Sequence, residues 1–318
     1  MSTTWYMTAG LCSPDVFGEN NSIYLTSGLS PMDADDSMAL SSLKLAQIFY
    51  VYGQFIPTKA SIYLKTVGDG YSDYFDVSAT VSIDALNFSH IVQSGHKFMP
   101  YTLYDDYTGK ASLYLKNITS GSGYPKVYYP VKTSSPGTYT LWVRSRSSTG
   151  NFVADVYVDD VLAGTINQAA VPALAWSWFS TNFTLQDQNK HIISLRLRET
   201  ETAIDKLCIA SSVIVPASIN EYQSSFITVH LQVYTVNADD VPQTQLDIYD
   251  SKSTATEIQA DDWYNFDLNF LDSSESITFD NKYALVVFSV GGNSTRYVVW
   301  EFVETLDPYI CGPSAIKF

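Results

Sequence analysis

Apolar and polar residues alternate with a period of two through most of this chain. Ala60-Ser61-Ile62-Tyr63-Leu64-Lys65, Tyr139-Thr140-Leu141-Trp142-Val143-Arg144, Asp155-Val156-Tyr157-Val158-Asp159 and Ile192-Ile193-Ser194-Leu195-Arg196-Leu197 all follow it. That period places alternate side chains on opposite faces of a strand, so each segment predicts a strand with one buried face. Turn formers separate the segments at Gly68-Asp69-Gly70, Gly121-Ser122-Gly123, Ser135-Pro136-Gly137, Asp159-Asp160 and Gly291-Gly292-Asn293. Short strands cut this way predict an all-β, multi-module β-sandwich or jelly-roll protein. Helical signs are confined to Met32 to Ala46, with acids early and Lys44 late, as a helix dipole favours.

Three blocks follow from the spacing: residues 1–86, 87–214 and 215–318. Val215-Pro216-Ala217-Ser218 reads as the connection before the last. Gln47 to Lys65 and Gln223 to Tyr234 echo each other weakly, each running from a Gln into alternating aromatic and apolar residues. Two arrangements stay open: the flanking regions form one sandwich with the middle block inserted, or separate modules follow one another. The separate modules are the preferred reading.

Composition narrows the partners. The chain carries 18 Lys plus Arg against 33 Asp plus Glu, a net charge of −15, which argues against a nucleic-acid partner. Charged residues are only 16%, against roughly 25% in ordinary soluble domains, while tyrosine reaches 23 residues. Such a surface suits specific subunit contacts. No apolar run approaches the roughly 20 residues of a membrane span. The N-terminus lacks the basic and apolar segments of a secretory signal, so none is expected. Cys12, Cys208 and Cys311 lie far apart and are expected to be buried free thiols.

The middle block carries an ordered set of motifs: Pro136-Gly137-Thr138-Tyr139-Thr140-Leu141-Trp142-Val143-Arg144, then Val158-Asp159-Asp160, then Trp176-Ser177-Trp178. After them come His191-Ile192-Ile193-Ser194-Leu195-Arg196-Leu197-Arg198-Glu199 and Ala203-Ile204-Asp205-Lys206-Leu207. In this order they resemble the galactose-binding-like jelly rolls of carbohydrate-binding-module families 6 and 35. The resemblance implies that Asp205 ties a loop by hydrogen bonds. It also makes Trp176, Trp178 and Tyr124 the candidate glycan contacts, since sugar C–H faces pack on aromatic rings. The alternation itself sends Tyr139, Leu141, Val143, Leu195 and Leu197 inward. An aromatic on a strand is more often core than platform, and both roles stay open for the two tryptophans.

In the last block, Lys282-Tyr283-Ala284-Leu285-Val286-Val287 lies between a Trp263-Tyr264-Asn265-Phe266 strand and a Gly-rich turn. This resembles a small β-sandwich of secreted and phage-encoded surface proteins. The chain stops at Phe318, so a closing strand is expected from a neighbouring subunit, which would cover an open edge.

Catalysis finds little support. There is no G-x-S-x-G, and His90, His96, His191 and His230 lack a catalytic context, so they are expected to be solvated or hydrogen-bonded at the surface. The acids sit mostly in turns, where they serve turn geometry. No cofactor is expected, though Asp105-Asp106 and Gly68-Asp69-Gly70 could hold a structural calcium through oxygen ligands.

The leading functional expectation is a structural virion protein of a tailed phage, such as a fibre, spike, decoration or tail component. It would be non-catalytic, would bind other virion subunits or itself, and would carry a glycan-binding jelly roll. The alternative is a non-catalytic, extracellular carbohydrate-binding region of a secreted polysaccharide-acting protein.

Overall fold

The computed structural model describes residues 5–7, 44–51, 59–68, 71–102, 107–108, 111–118, 123–168, 174–212, 216, 225–238, 241–268, 277–278, 281–292, 296–300 and 316–317. These form strands and no helices. The first three strands are β1 (Trp5–Met7), β2 (Lys44–Val51) and β3 (Lys59–Val67). Next come β4 (Phe75–Asp76), β5 (Val81–Asp84), β6 (His90–Val92), β7 (Lys97–Tyr101), β8 (Ser112–Lys116) and β9 (Lys126–Lys132). Then follow β10 (Gly137–Ser147), β11 (Phe152–Val158), β12 (Val161–Gln168), β13 (Ser177–Leu185), β14 (Lys190–Leu197) and β15 (Thr202–Ala210). The series ends with β16 (Ile227–Val236), β17 (Pro242–Ser253), β18 (Asp262–Asp267), β19 (Asn281–Gly291), β20 (Tyr297–Trp300) and β21 (Ile316–Lys317). The helix expected over Met32 to Ala46 lies outside the described residues except at its end, where Lys44 to Ala46 open strand β2.

Two compact units emerge. One consists of Met1–Asp69, Val229–Lys252 and Ile258–Phe318, the other of Gly70–Thr228 and Ser253–Glu257. In the first unit, β2 pairs antiparallel with β19, from Asn281↔Val51 to Val287↔Leu45. Strand β3 pairs with β18 and β20. The pairing therefore joins the two flanking regions of the chain, the arrangement left open beside successive modules. Residues Tyr283 to Phe288 of the KYALVV strand are buried, and β19 lies between β2 and β16. A strand flanked on both sides and apolar on both faces belongs at a sheet centre. The closing strand expected from a neighbour comes from the chain's own tail: Ile316 pairs with Ile62 and Lys317 with Ser61.

The second unit is a β-sandwich. One sheet runs β13-β10-β15-β8-β7 with β5 also on β15; the other runs β12-β11-β14-β9-β4 with β6 also on β9. Inward residues obey the sequence alternation. Tyr139, Leu141, Val143, Leu195 and Leu197 are at most 1% exposed. Phe152 of one sheet stacks on Phe179 of the other with ring centroids 5.0 Å apart, one of the contacts that close the core. Each such side chain contributes about 1.5–3 kcal/mol by leaving water.

The Tyr139 hydroxyl, buried beneath the β9–β10 turn, donates to the Ser135 carbonyl at 2.6 Å. Where β12 passes β13, a Cβ on Gly164 would stand 2.6 Å from Thr181 Oγ1 and 3.3 Å from the Asn182 carbonyl oxygen, so a larger residue there would have to displace the Thr181 side chain. Cys208 is a buried free thiol whose pKa burial pushes up to about 11, which keeps it unreactive. Cys12 and Cys311 lie outside the described residues.

Two of the four histidines, His191 and His230, are buried where surface positions were expected. His230 is 0% exposed and sits in the core of its unit, its Nδ1 3.0 Å from the Tyr249 hydroxyl and its ring stacked on Phe288. Alternation along Ile227–Val236 is masked because the strand is buried on both faces, so no polar face marks His230 as internal.

Candidate functional site

Strand β13 divides its aromatic residues between two faces. Phe179 and Phe183 stack on Phe152 and Tyr139 in the core. Trp178, Ser180 and Asn182 take the opposite face, because side chains alternate across a strand. Antiparallel register sets them opposite Arg144, Trp142 and Thr140 of β10. The Thr140 hydroxyl donates to Asn182 Oδ1 at 2.9 Å and fixes that end of the pair. At the other end, just before β13, Trp176 lies with its ring 5.1 Å from the Arg144 guanidinium carbon. Both tryptophans are half-buried. An arginine over an indole face is a cation–π contact that holds the ring in one orientation.

A bulge supplies the next layer. Arg144 pairs with Lys206, but Ser145 pairs with Ile204, so Asp205 is the extra residue of β15. A bulge re-aims the side chain it adds. Here it places the fully buried Asp205 carboxylate against Arg144 Nη1, which donates to it. Asp205 also accepts from Thr108 N at 2.7 Å and from Thr108 Oγ1 at 2.9 Å. One carboxylate thus ties the β7–β8 loop to the cation beneath Trp176, the tethering role the resemblance implied for it. Burial raises the Asp205 pKa, while the bonds from Arg144 and Thr108 act against the rise. Burial also lowers that of neighbouring Lys206, against the pull of Asp205.

Of the three expected glycan contacts, the structure sets Trp176 against Arg144 and places Trp178 opposite Arg144 in register. Tyr124 instead packs on His96, with ring centroids 5.0 Å apart. The sequence reading missed Arg144 as the centre. Its signal was present, since alternation puts Arg144 on the Trp142 face, but the strand opposite could not be read from spacing. The calcium candidates Asp69, Asp105 and Asp106 lie outside the described residues. Among the described residues, no group of three or more His, Cys, Asp or Glu side chains is arranged to hold a metal ion.

Other carboxylates are committed to neighbours. Asp155, 2% exposed, receives Arg196 Nη2 at 2.6 Å and the Thr165 hydroxyl at 3.1 Å. His191, expected at the surface, is 8% exposed and bridges two turns, its Nδ1 2.7 Å from Asp159 Oδ2 and its Nε2 3.1 Å from Asp187 Oδ1. Asp159 and Asp160 both have positive φ, as a two-residue hairpin turn demands.

Only an imidazolium donates from both nitrogens. Burial opposes the charge on His191, but the bonds and charges of Asp159 and Asp187 prevail, and its pKa is raised. A folded-state value above the unfolded one means stabilisation that is complete below the unfolded pKa of about 6.5 and lost as pH rises through the folded value. His191→Gln is therefore expected to lower the melting temperature most near pH 5 (roughly 1.5 units below the free imidazole value) and least above pH 8. Thermal denaturation across that range checks it, and an equal loss at every pH would refute the charged clasp.

No protein-family model matches the chain, and no curated protein matches it. Solved structures do. The chain is similar to a family 35 carbohydrate binding module from Clostridium thermocellum, at 17% identity and a TM-score of 0.35, over 42% of this chain and 99% of that one. It is similar to the family 35 module of Cellvibrio japonicus Abf62, at 15% identity and 0.34, over 46% and 100%. A Podospora anserina GH26-CBM35 β-(1,4)-mannanase matches at 15% identity and 0.35 over 44% of this chain, and the match spans 29% of that enzyme's length. No helix among the described residues is long and apolar enough to cross a membrane.

Proposed function

We propose that residues 70–228 form a non-catalytic carbohydrate-binding module whose sugar platform is Trp176 and Trp178 braced by Arg144. The observation that carries this reading is the division of β13. Phe183 is buried in the core and the half-buried Phe179 stacks on core Phe152, while Trp178 faces the other way beside a cation that also orients Trp176. A core strand has no need of indoles on its outer face, whereas pyranose C–H groups stack on such rings. The absence of catalysis belongs to the same proposal: Asp155 and Asp205 are neutralised by arginines and satisfied by hydroxyls, unlike a pair poised across a scissile bond. Placement in a virion draws no support from these residues, so the extracellular carbohydrate-binding alternative is the reading adopted.

Trp178→Ala is expected to weaken retention on an immobilised polysaccharide by about tenfold or more, as loss of a hot-spot aromatic does. Its melting temperature should stay within about 4 °C of the parent, since a half-buried outer side chain contributes little to the core. Affinity electrophoresis over a polysaccharide panel measures the first and calorimetry the second. Unchanged retention with an intact fold would sink the platform.

A further inference from the structure

Resting on that reading, we infer that Leu174 is a further glycan contact, an exposed apolar rim at the end of the Trp176–Trp178 platform. Among the described residues, Asp159, Asp160, Leu174 and Glu201 have positive φ without being glycine. In the three acids the side chain is bonded. Asp159 Oδ1 accepts from the Ile192 N–H at 2.9 Å, Asp160 Oδ1 from Lys126 Nζ at 3.1 Å, and Glu201 from the Tyr114 hydroxyl. Leu174 has no such bond to offset its backbone. Its φ of 63° is an outlier for a bulky apolar residue, and strain of this kind gathers at ligand clamps. Its side chain is also 51% exposed, so burial offsets only part of the strain. Glycine would hold the same turn without that strain. What leucine adds here is an apolar surface facing water.

Its position indicates what that surface meets. The Leu174 N–H donates at 2.9 Å to the carbonyl of Ser147, the last residue of β10. Ser145, two residues earlier on β10, pairs with Ser177 at the start of β13. Leu174 thus prolongs the edge formed by β13, two residues before Trp176, whose ring lies over Arg144. The other large exposed aliphatic residues, Val92, Val161 and Leu162, belong to β6 and β12 of the opposite sheet. An isobutyl group beside an indole gives the C–H face of a pyranose chain more apolar surface to cover. The bond to Ser147 holds its backbone in place beforehand, which reduces the ordering that binding requires.

Affinity electrophoresis of the full chain in gels of β-mannan, xylan and β-glucan tests this, with calorimetry beside it. Leu174→Gly removes the side chain and relieves the backbone. On a polysaccharide that retains the parent, this variant should bind about threefold to tenfold more weakly, as expected when half a leucine side chain no longer leaves water. Its melting temperature should rise, or stay within about 3 °C of the parent. Leu174→Asn also tolerates positive φ and keeps the turn without the apolar group, so it should weaken retention to a similar degree. Parent-like retention by either variant would overturn the inference, because the side chain would then touch no sugar. A melting temperature more than about 3 °C lower for Leu174→Gly would overturn it too, by showing that leucine serves the fold. If Trp178→Ala weakens retention while both Leu174 variants bind like the parent, the platform stands and only this contact falls. A parent retained by none of the three polysaccharides removes both readings.

Discussion

Arg144→Ala is expected to cost about 3–5 kcal/mol of folding stability, towards the lower figure because water reaches part of the arginine. Removing the guanidinium leaves Asp205, which is 0% exposed, with two bonds from Thr108 and without its cation. A buried charge that loses its partner pays its desolvation cost without return, which outweighs the modest net value of the pair itself. The Arg144 side chain is 20% exposed, hence the lower end of the range. The double variant Arg144→Leu with Asp205→Leu removes both charges and should recover most of the loss, since no orphan remains. Urea denaturation of the three proteins gives the numbers. A single-variant loss under about 1 kcal/mol would show that Asp205 does not depend on this cation.

Leu195→Ala is the second large effect, expected at about 2–5 kcal/mol. Leu195 is 0% exposed at the centre of β14, between Val127 of β9 and Val156 of β11, both also fully buried. Neighbours held in two hydrogen-bonded strands cannot collapse into the space a lost isobutyl group leaves, so cavity cost adds to transfer cost. Leu195→Met conserves volume and should lose less than about 1.5 kcal/mol. Chemical denaturation with unchanged m-values separates a stability change from a changed denatured state. A loss below about 1 kcal/mol for alanine would mean that the inward face of β14 is misassigned.

The two sites of these predictions were unequally visible beforehand. Leu195 could be placed from HIISLRLRE alone, because its alternation has one apolar face and one charged face. The inward set of GTYTLWVR followed for the same reason. Asp205 was legible only by resemblance. Its bond to Arg144 depends on a bulge, and a bulge is a mismatch between two strands that neither strand encodes by itself. Trp176 and Trp178 could be named as aromatic and two residues apart, but core and platform give the same spacing. Only the stacking of Phe179 on Phe152 separates the faces.

His230 failed for the opposite reason, since a strand buried on both faces has no polar period to read against. The tail strand Ile316–Lys317 is too short to register as a pattern and exists only as a partner of β3. Local sequence thus determined the strand character of β10, β11 and β14, which face of β10 and β14 turns inward, and that the protein is all-β, because steric alternation and burial act within a few residues. Strand order, the pairing of β2 with β19 across most of the chain length, and the meeting of Trp176, Arg144 and Asp205 were decided by tertiary structure. Each joins residues far apart in sequence, through hydrogen-bond ladders whose register no single segment contains.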